Sequence, residues 1–310
     1  MTQAGPVTVR RGRRVLGLLG RAYGRIWGRD VMLYVGGVSF FALLAIFPAL
    51  SLLIGLYSVV FTPEQAVEQG AVLAQIVPQG ARAMIQTELT RLTDGSTKVV
   101  GYQSLLALVI GAYAAHRGVK ALLAGLTFIH DEEEPLGFVR FNVLAFIVAI
   151  AAFAFVTAIS GAIVVIKILE NLTDIEPLER TFALVHSEWV WASVGTVVGL
   201  SLLYRFAMSH SGRVDWRAAI IGAVAATVLS LAASWASAFY VDQIVELGAT
   251  YGSVGAVVVM LIWLSWNVNA VFYGGALATE VEILLDARKA ATAETEPEGL
   301  SLSPKRAFRP

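Results

Sequence analysis

Val31–Pro63 reads VMLYVGGVSFFALLAIFPALSLLIGLYSVVFTP, a stretch without a single Asp, Glu, Lys or Arg. A helix needs about 20 apolar residues to cross ~30 Å of hydrocarbon, so this stretch is long enough to span a membrane. Five more charge-free stretches follow, at 99–116, 141–166, 189–204, 218–241 and 247–279. Three of these exceed the required length. Those at 99–116 and 189–204 are shorter and need flanking residues to complete a span. The pattern predicts an all-α fold, a polytopic membrane protein built as a six-transmembrane-helix bundle.

Composition agrees. Hydrophobic residues make up 57% of the chain and charged residues 15%, and mean hydropathy is +0.70. Soluble domains carry about 25% charged residues. Three domain segments follow: a basic N-terminal segment at 1–30, a transmembrane domain at 31–287, and a disordered tail at 288–310 that is rich in Thr, Glu, Pro and Ser. No extramembrane segment is long enough for a separate catalytic domain. There is no cysteine, which excludes thiolate metal sites and a cysteine nucleophile. His116, His130, His186 and His210 include no pair at metal-ligand spacing. No cofactor is expected, and no nucleotide-binding motif is present. The basic N-terminus leads into an apolar run too long for a cleaved signal peptide.

Charge orients the bundle. With six spans and both termini on one side, that side holds 18 Lys and Arg and the other holds 5. Positive loops stay in the cytoplasm, so both termini are expected there. Acidic residues divide almost evenly and carry no orientation signal. Arg10, Arg11, Arg13, Arg14, Arg21, Arg25 and Arg29 interleave with Tyr23, Ile26 and Trp27. The segment reads either as a topogenic tail or as an interfacial helix on anionic lipid, and the two readings are compatible.

Within the spans, polar and small residues stand out. Pro48 interrupts the first span and removes a backbone donor. It is either a packed kink or a break lining a polar cavity, with Ser39 and Ser51 nearby. Residues 64–98, with Ile85, Leu89 and Leu92 on one helical face, read as short amphipathic helices in the first outer loop. His116, Arg117 and Lys120 close the second charge-free run, which marks either a membrane boundary or a function. Asp131, Glu132, Glu133 and Glu134 follow and read as a solvated loop. The fourth span has Gly195 and Gly199 at GxxxG spacing. The fifth repeats Gly222, Ala226, Ser230 and Ser234, a ridge that lets helix backbones approach closely. Asn267 and Asn269 in the sixth span need hydrogen-bond partners, from another helix or from a polar pathway. Glu280 and Glu282 leave the sixth span on the same side as Arg117 and Lys120. Unpaired charge near the low-dielectric boundary is costly, so a contact is expected between the basic pair and the acidic pair.

Three blocks carry a family likeness. They are Ser39-Phe40-Phe41-Ala42-Leu43-Leu44-Ala45-Ile46-Phe47-Pro48, Arg117-Gly118-Val119-Lys120-Ala121-Leu122, and a block from Trp216 through Gly222-Ala223, Phe239-Tyr240 and Tyr251-Gly252-Ser253-Val254-Gly255 to Trp263. In order and spacing they resemble the YihY/BrkB family of bacterial inner-membrane proteins, once labelled "ribonuclease BN". The chain departs from the family pattern at Gly274-Gly275-Ala276, where a Gly-Ala-Glu run is usual, and at Leu126-Thr127, where Leu-Asn is frequent. The resemblance implies six transmembrane helices, an inner-membrane location and a role in envelope integrity or in export of lipid-linked envelope material.

A nuclease needs a basic groove for phosphates and a catalytic base or metal-binding carboxylates. The outer loops are poor in basic residues and the inner loops are short, so ribonuclease activity and nucleic-acid binding are not expected. Two readings remain. One is a transporter or translocator of envelope material. The other is a non-transporting structural or assembly factor. Membrane lipids are the expected partners, and a homo-oligomer is compatible with the sequence.

Overall fold

The computed structural model describes residues 7–27, 30–60, 102–131, 136–172, 188–208, 212–243 and 254–295. Among these described residues the regular elements are seven helices: α1 (Val7–Trp27), α2 (Val31–Val60), α3 (Tyr102–Ile129), α4 (Phe138–Leu172), α5 (Glu188–Ala207), α6 (Trp216–Gln243) and α7 (Gly255–Thr295). Six of them, α2 to α7, are long and apolar enough to cross a membrane. The short run at 189–204 is completed by its flanks into a helix of 20 residues. The amphipathic segment expected at 64–98 lies outside the described residues, as do Glu132, Glu133, Glu134, His186 and His210.

Local chemistry sets the ends of the helices. Asp30 joins α1 to α2 in the left-handed conformation (φ 42°), which Asp tolerates better than most residues. Asp131 does the same after α3, with φ 60°. Asp215 caps α6, its Oδ1 accepting from Arg217 N at 2.9 Å. The C-terminus of α7 corrects the expected tail: the helix continues to Thr295, past the boundary at 288. Ala287, Ala290, Ala291, Arg288 and Lys289 favour helix, and Lys289 pairs with Asp286 at 3.0 Å.

The bundle is organised around α7, which packs on α6, α1, α2, α3 and α5. Small residues permit the closest contacts. Gly222 of α6 and Gly274 of α7 face each other so tightly that a methyl on either would collide with the other's carbonyl oxygen. Ala226 and Ala278 flank this crossing, and both are fully buried. Ser234, farther along α6, accepts a hydrogen bond from Trp263 Nε1 at 3.1 Å. Ser230 is half-buried. Between α2 and α3, the side chain of Pro48 fills the notch at Gly111, and Phe41 lies against Gly118. The GxxxG pair of α5 takes side chains instead of a helix backbone: Ile159 and Phe155 of α4 sit on Gly195 and Gly199.

Candidate functional site

Charged side chains gather in two layers. The first lies where α1 meets the end of α3 and the stretch of α7 around Glu280. Glu280, almost buried, accepts from Arg21 Nε at 2.8 Å and from Arg25 Nε at 2.6 Å. Arg25 also bonds Asp131 Oδ2 at 2.5 Å and the carbonyl of Ile129 at 3.2 Å. Burial opposes the Arg25 charge, but its hydrogen bonds to Glu280 and Asp131 outweigh this and raise its pKa above the ordinary arginine value. Glu282 lies 3.7 Å from His130 Nε2 and accepts from Asp215 N at 3.3 Å. His130 Nδ1 meets Thr279 Oγ1 at 3.0 Å. Tyr273 OH donates to Leu19 O at 3.1 Å, a second tie between α7 and α1. In this layer basic and acidic groups meet each other.

The expected contact between Arg117 or Lys120 and Glu280 or Glu282 is absent among the described residues. The physical reason is the length of α3. The helix continues past Lys120 to Ile129, which leaves Arg117 and Lys120 12 and 9 residues from its end, roughly 18 and 14 Å. Their side chains cannot reach the end of the bundle, and α1 supplies the arginines instead.

Those residues form the second layer. His130 beside Thr279 fixes the register of α3 on α7, and it carries Arg117 to the level of about residue 266. That is close to the middle of the charge-free run 247–279. Lys120 Nζ donates to Asn142 Oδ1 at 2.8 Å and lies 5.0 Å from the Phe138 ring centroid, so it leans toward the first turn of α4. Arg117 is exposed, with its guanidinium 5.5 Å over the Phe41 ring. The His116 ring lies 6.3 Å from Phe146, and its buried Nδ1 has no hydrogen-bond partner. Among the described residues, no carboxylate pairs with any of the three.

The polar positions within the spans are satisfied locally. Ser39 Oγ donates to Val35 O at 2.7 Å, and Ser51 Oγ to Phe47 O at 3.1 Å. Asn267 Nδ2 donates to Trp263 O and Asn269 Nδ2 to Ser265 O, both at 2.9 Å. Each bond closes on its own helix, four residues back. Bonds between helices come from pairs the sequence did not single out: Trp263 Nε1 donates to Ser234 Oγ, and the buried Tyr204 OH donates to Val271 O at 2.6 Å.

Residues 22–298 match the family described as virulence factor BrkB. The chain belongs to the BrkB family. The chain is similar to the protein named "Putative ribonuclease-like protein YfkH" from Bacillus subtilis (strain 168), 23% identical over 253 residues, 81% of this chain and 89% of that one. No solved structure matches the chain. The BrkB match takes in the second charge layer and all of the first except Arg21. Of the three family-like blocks, the first two pack directly on each other, through Phe41 on Gly118. Two features of the first layer escaped the sequence reading. Arg21 and Arg25 stand four apart and so share a helix face, which was the available signal. Their acceptor is more than 250 residues away and left no local trace.

Proposed function

We propose that this BrkB-family protein is a non-enzymatic translocator of the cell inner membrane, moving lipid-linked or other envelope material, with both termini in the cytoplasm. The observation that carries this reading is the second charge layer. Charged groups midway along a spanning helix are expensive, and where they persist they mark pathways for polar or charged cargo. His116 and Arg117 stand at that depth on α3, Lys120 leans from it toward the first turn of α4, and among the described residues no acid neutralises them. The orientation is supported by the split of 18 basic residues against 5. The same reading rests α1 on the anionic inner leaflet. Its exposed Leu16, Tyr23 and Trp27 beside Arg21 suit an interface.

The first charge layer and the Gly222–Gly274 crossing favour a second reading, a close-packed envelope scaffold that moves nothing. Reconstitution separates the two. Purified protein is placed in vesicles holding a trace of tail-labelled fluorescent phosphatidylglycerol, and dithionite is added outside. Translocation exposes inner-leaflet label, so more fluorescence is lost than in protein-free vesicles. Loss equal to that of protein-free vesicles, from protein verified as folded, would refute the translocator and leave the scaffold.

A further inference from the structure

The second charge layer has a composition that points to a ligand. We propose that His116, Arg117 and Lys120 form a binding site for the phosphate group of an anionic ligand, held partway along the spanning helix α3. The inference deepens the translocator reading by naming the chemistry of what is held. It remains separable from that reading, because binding can succeed where transport fails.

His116 and Lys120 are four residues apart, and Arg117 and Lys120 three apart, so all three side chains issue from neighbouring positions on the helix surface. Together they offer a planar fork of donors, a point-charge ammonium and an imidazole nitrogen. Arginine forks match phosphate oxygens two at a time, and lysine binds phosphate as a compact charge. Their present partners leave this capacity open. Arg117 rests on the Phe41 ring, which uses a face of the guanidinium and none of its N–H groups. Lys120 spends one donor on the neutral amide of Asn142. His116 Nδ1 is buried with no hydrogen-bond partner, a state that normally carries a penalty.

Charge gives the ligand its sign. At the α1 end, Arg21 and Arg25 each meet a carboxylate. About three turns deeper, two cations and an imidazole meet none among the described residues. An isolated cation in a low-dielectric setting is unfavourable, and an anion brought to it relieves that cost.

The surroundings give the ligand its amphipathic character. Toward the far end of α3, Val109 and Tyr113 continue the face that bears Arg117 and are exposed. On α4, Phe146, whose ring lies 6.3 Å from that of His116, and Ile150 one turn on are also exposed. An acyl chain laid along these side chains would keep its phosphate against the three basic groups. The phosphate chemistry alone fits either a lipid headgroup or a free ion, and the experiment distinguishes the two sources.

The test uses the full-length protein in neutral detergent, with binding followed by tryptophan fluorescence. The probes are dioctanoyl phosphatidic acid, dioctanoyl phosphatidylcholine and inorganic phosphate. Phosphatidic acid should bind at least about tenfold more tightly than phosphatidylcholine. Arg117→Gln and Lys120→Gln should each weaken phosphatidic acid binding by about tenfold or more, the scale of one lost charge-assisted hydrogen bond. Arg117→Lys should recover part of the affinity, and Arg288→Gln, on the exposed end of α7, should leave it unchanged. Unfolding curves confirm that each variant is folded. Displacement of phosphatidic acid by inorganic phosphate at equal concentration would support the site with a soluble anion as its source. Weak displacement would support it with an amphiphile as its source. The proposal is overturned if phosphatidic acid and phosphatidylcholine bind alike, or if folded Arg117→Gln and Lys120→Gln bind phosphatidic acid as the wild type does.

Discussion

The two charge layers use the same residue types in opposite ways. At the α1 end, Arg25 is held between Glu280 and Asp131, and Arg21 closes on the other oxygen of Glu280. About midway along α3, Arg117 and Lys120 are given an aromatic ring and a neutral amide. The first arrangement fixes α1 to α7. Its charges are consumed by the fold. The second contributes little to holding helices together, and its charge stays available. A basic residue in a membrane helix is therefore read by its partner more than by its presence.

This contrast can be strained from the structural side first. Gly222→Leu should have the largest effect, because the added side chain meets the carbonyl of Gly274 and the methyl of Ala278, which cannot both move aside. A loss of roughly 3 kcal/mol or more is expected, seen as aggregation or a collapsed yield in gel filtration. A well-folded, monodisperse variant would contradict the packing described. Next comes Glu280→Gln. It takes from Arg25, which is mostly buried, one of its two carboxylates and leaves Asp131, while Arg21 is half exposed and loses little. About 2–3 kcal/mol of stability should go, measured by thermal unfolding in detergent. The double variant Arg25→Gln with Glu280→Gln should be less damaged than the two single losses added together.

Smaller effects sharpen the comparison. Tyr273→Phe removes one hydrogen bond, to Leu19 O, and should lower stability by about 1 kcal/mol. Arg117→Gln should change stability by no more than roughly 0.5 kcal/mol in either direction, since no ion pair is lost. A drop for Arg117→Gln as large as that for Glu280→Gln would erase the distinction between the layers.

The number and order of the spans were legible in the sequence because a charge-free run is a local property. Even 189–204, at the short end, became a helix, with Arg205 in its last turn reaching back to the carbonyl of Val214 and lying 4.6 Å over Trp216. The small residues of the fifth and sixth spans were also visible, since close backbone approach requires them. Pairing between charges was not. Arg117 and Glu280 belong to helices that both run toward the same end of the bundle, and sequence alone does not say that α3 continues nine residues beyond Lys120. Apolar residues after Lys120, such as Leu122, Leu123 and Leu126, carried that information. They read equally well as a loop-side segment until their burial against α7 and α4 is known. The helix extending to Thr295 was hidden by composition, because Thr and Glu count toward disorder in a window that also holds four alanines.

The central claim is that one layer holds the fold while the other holds a ligand. It is tested most directly by measuring Arg25→Gln and Arg117→Gln side by side, each for its unfolding temperature and its affinity for dioctanoyl phosphatidic acid. Arg25→Gln should melt roughly 5 °C lower and bind as the wild type does. Arg117→Gln should melt as the wild type does and bind about tenfold more weakly or worse. If the two variants fall together in both measurements, or if Arg117→Gln loses only stability, the division of labour between the layers is wrong.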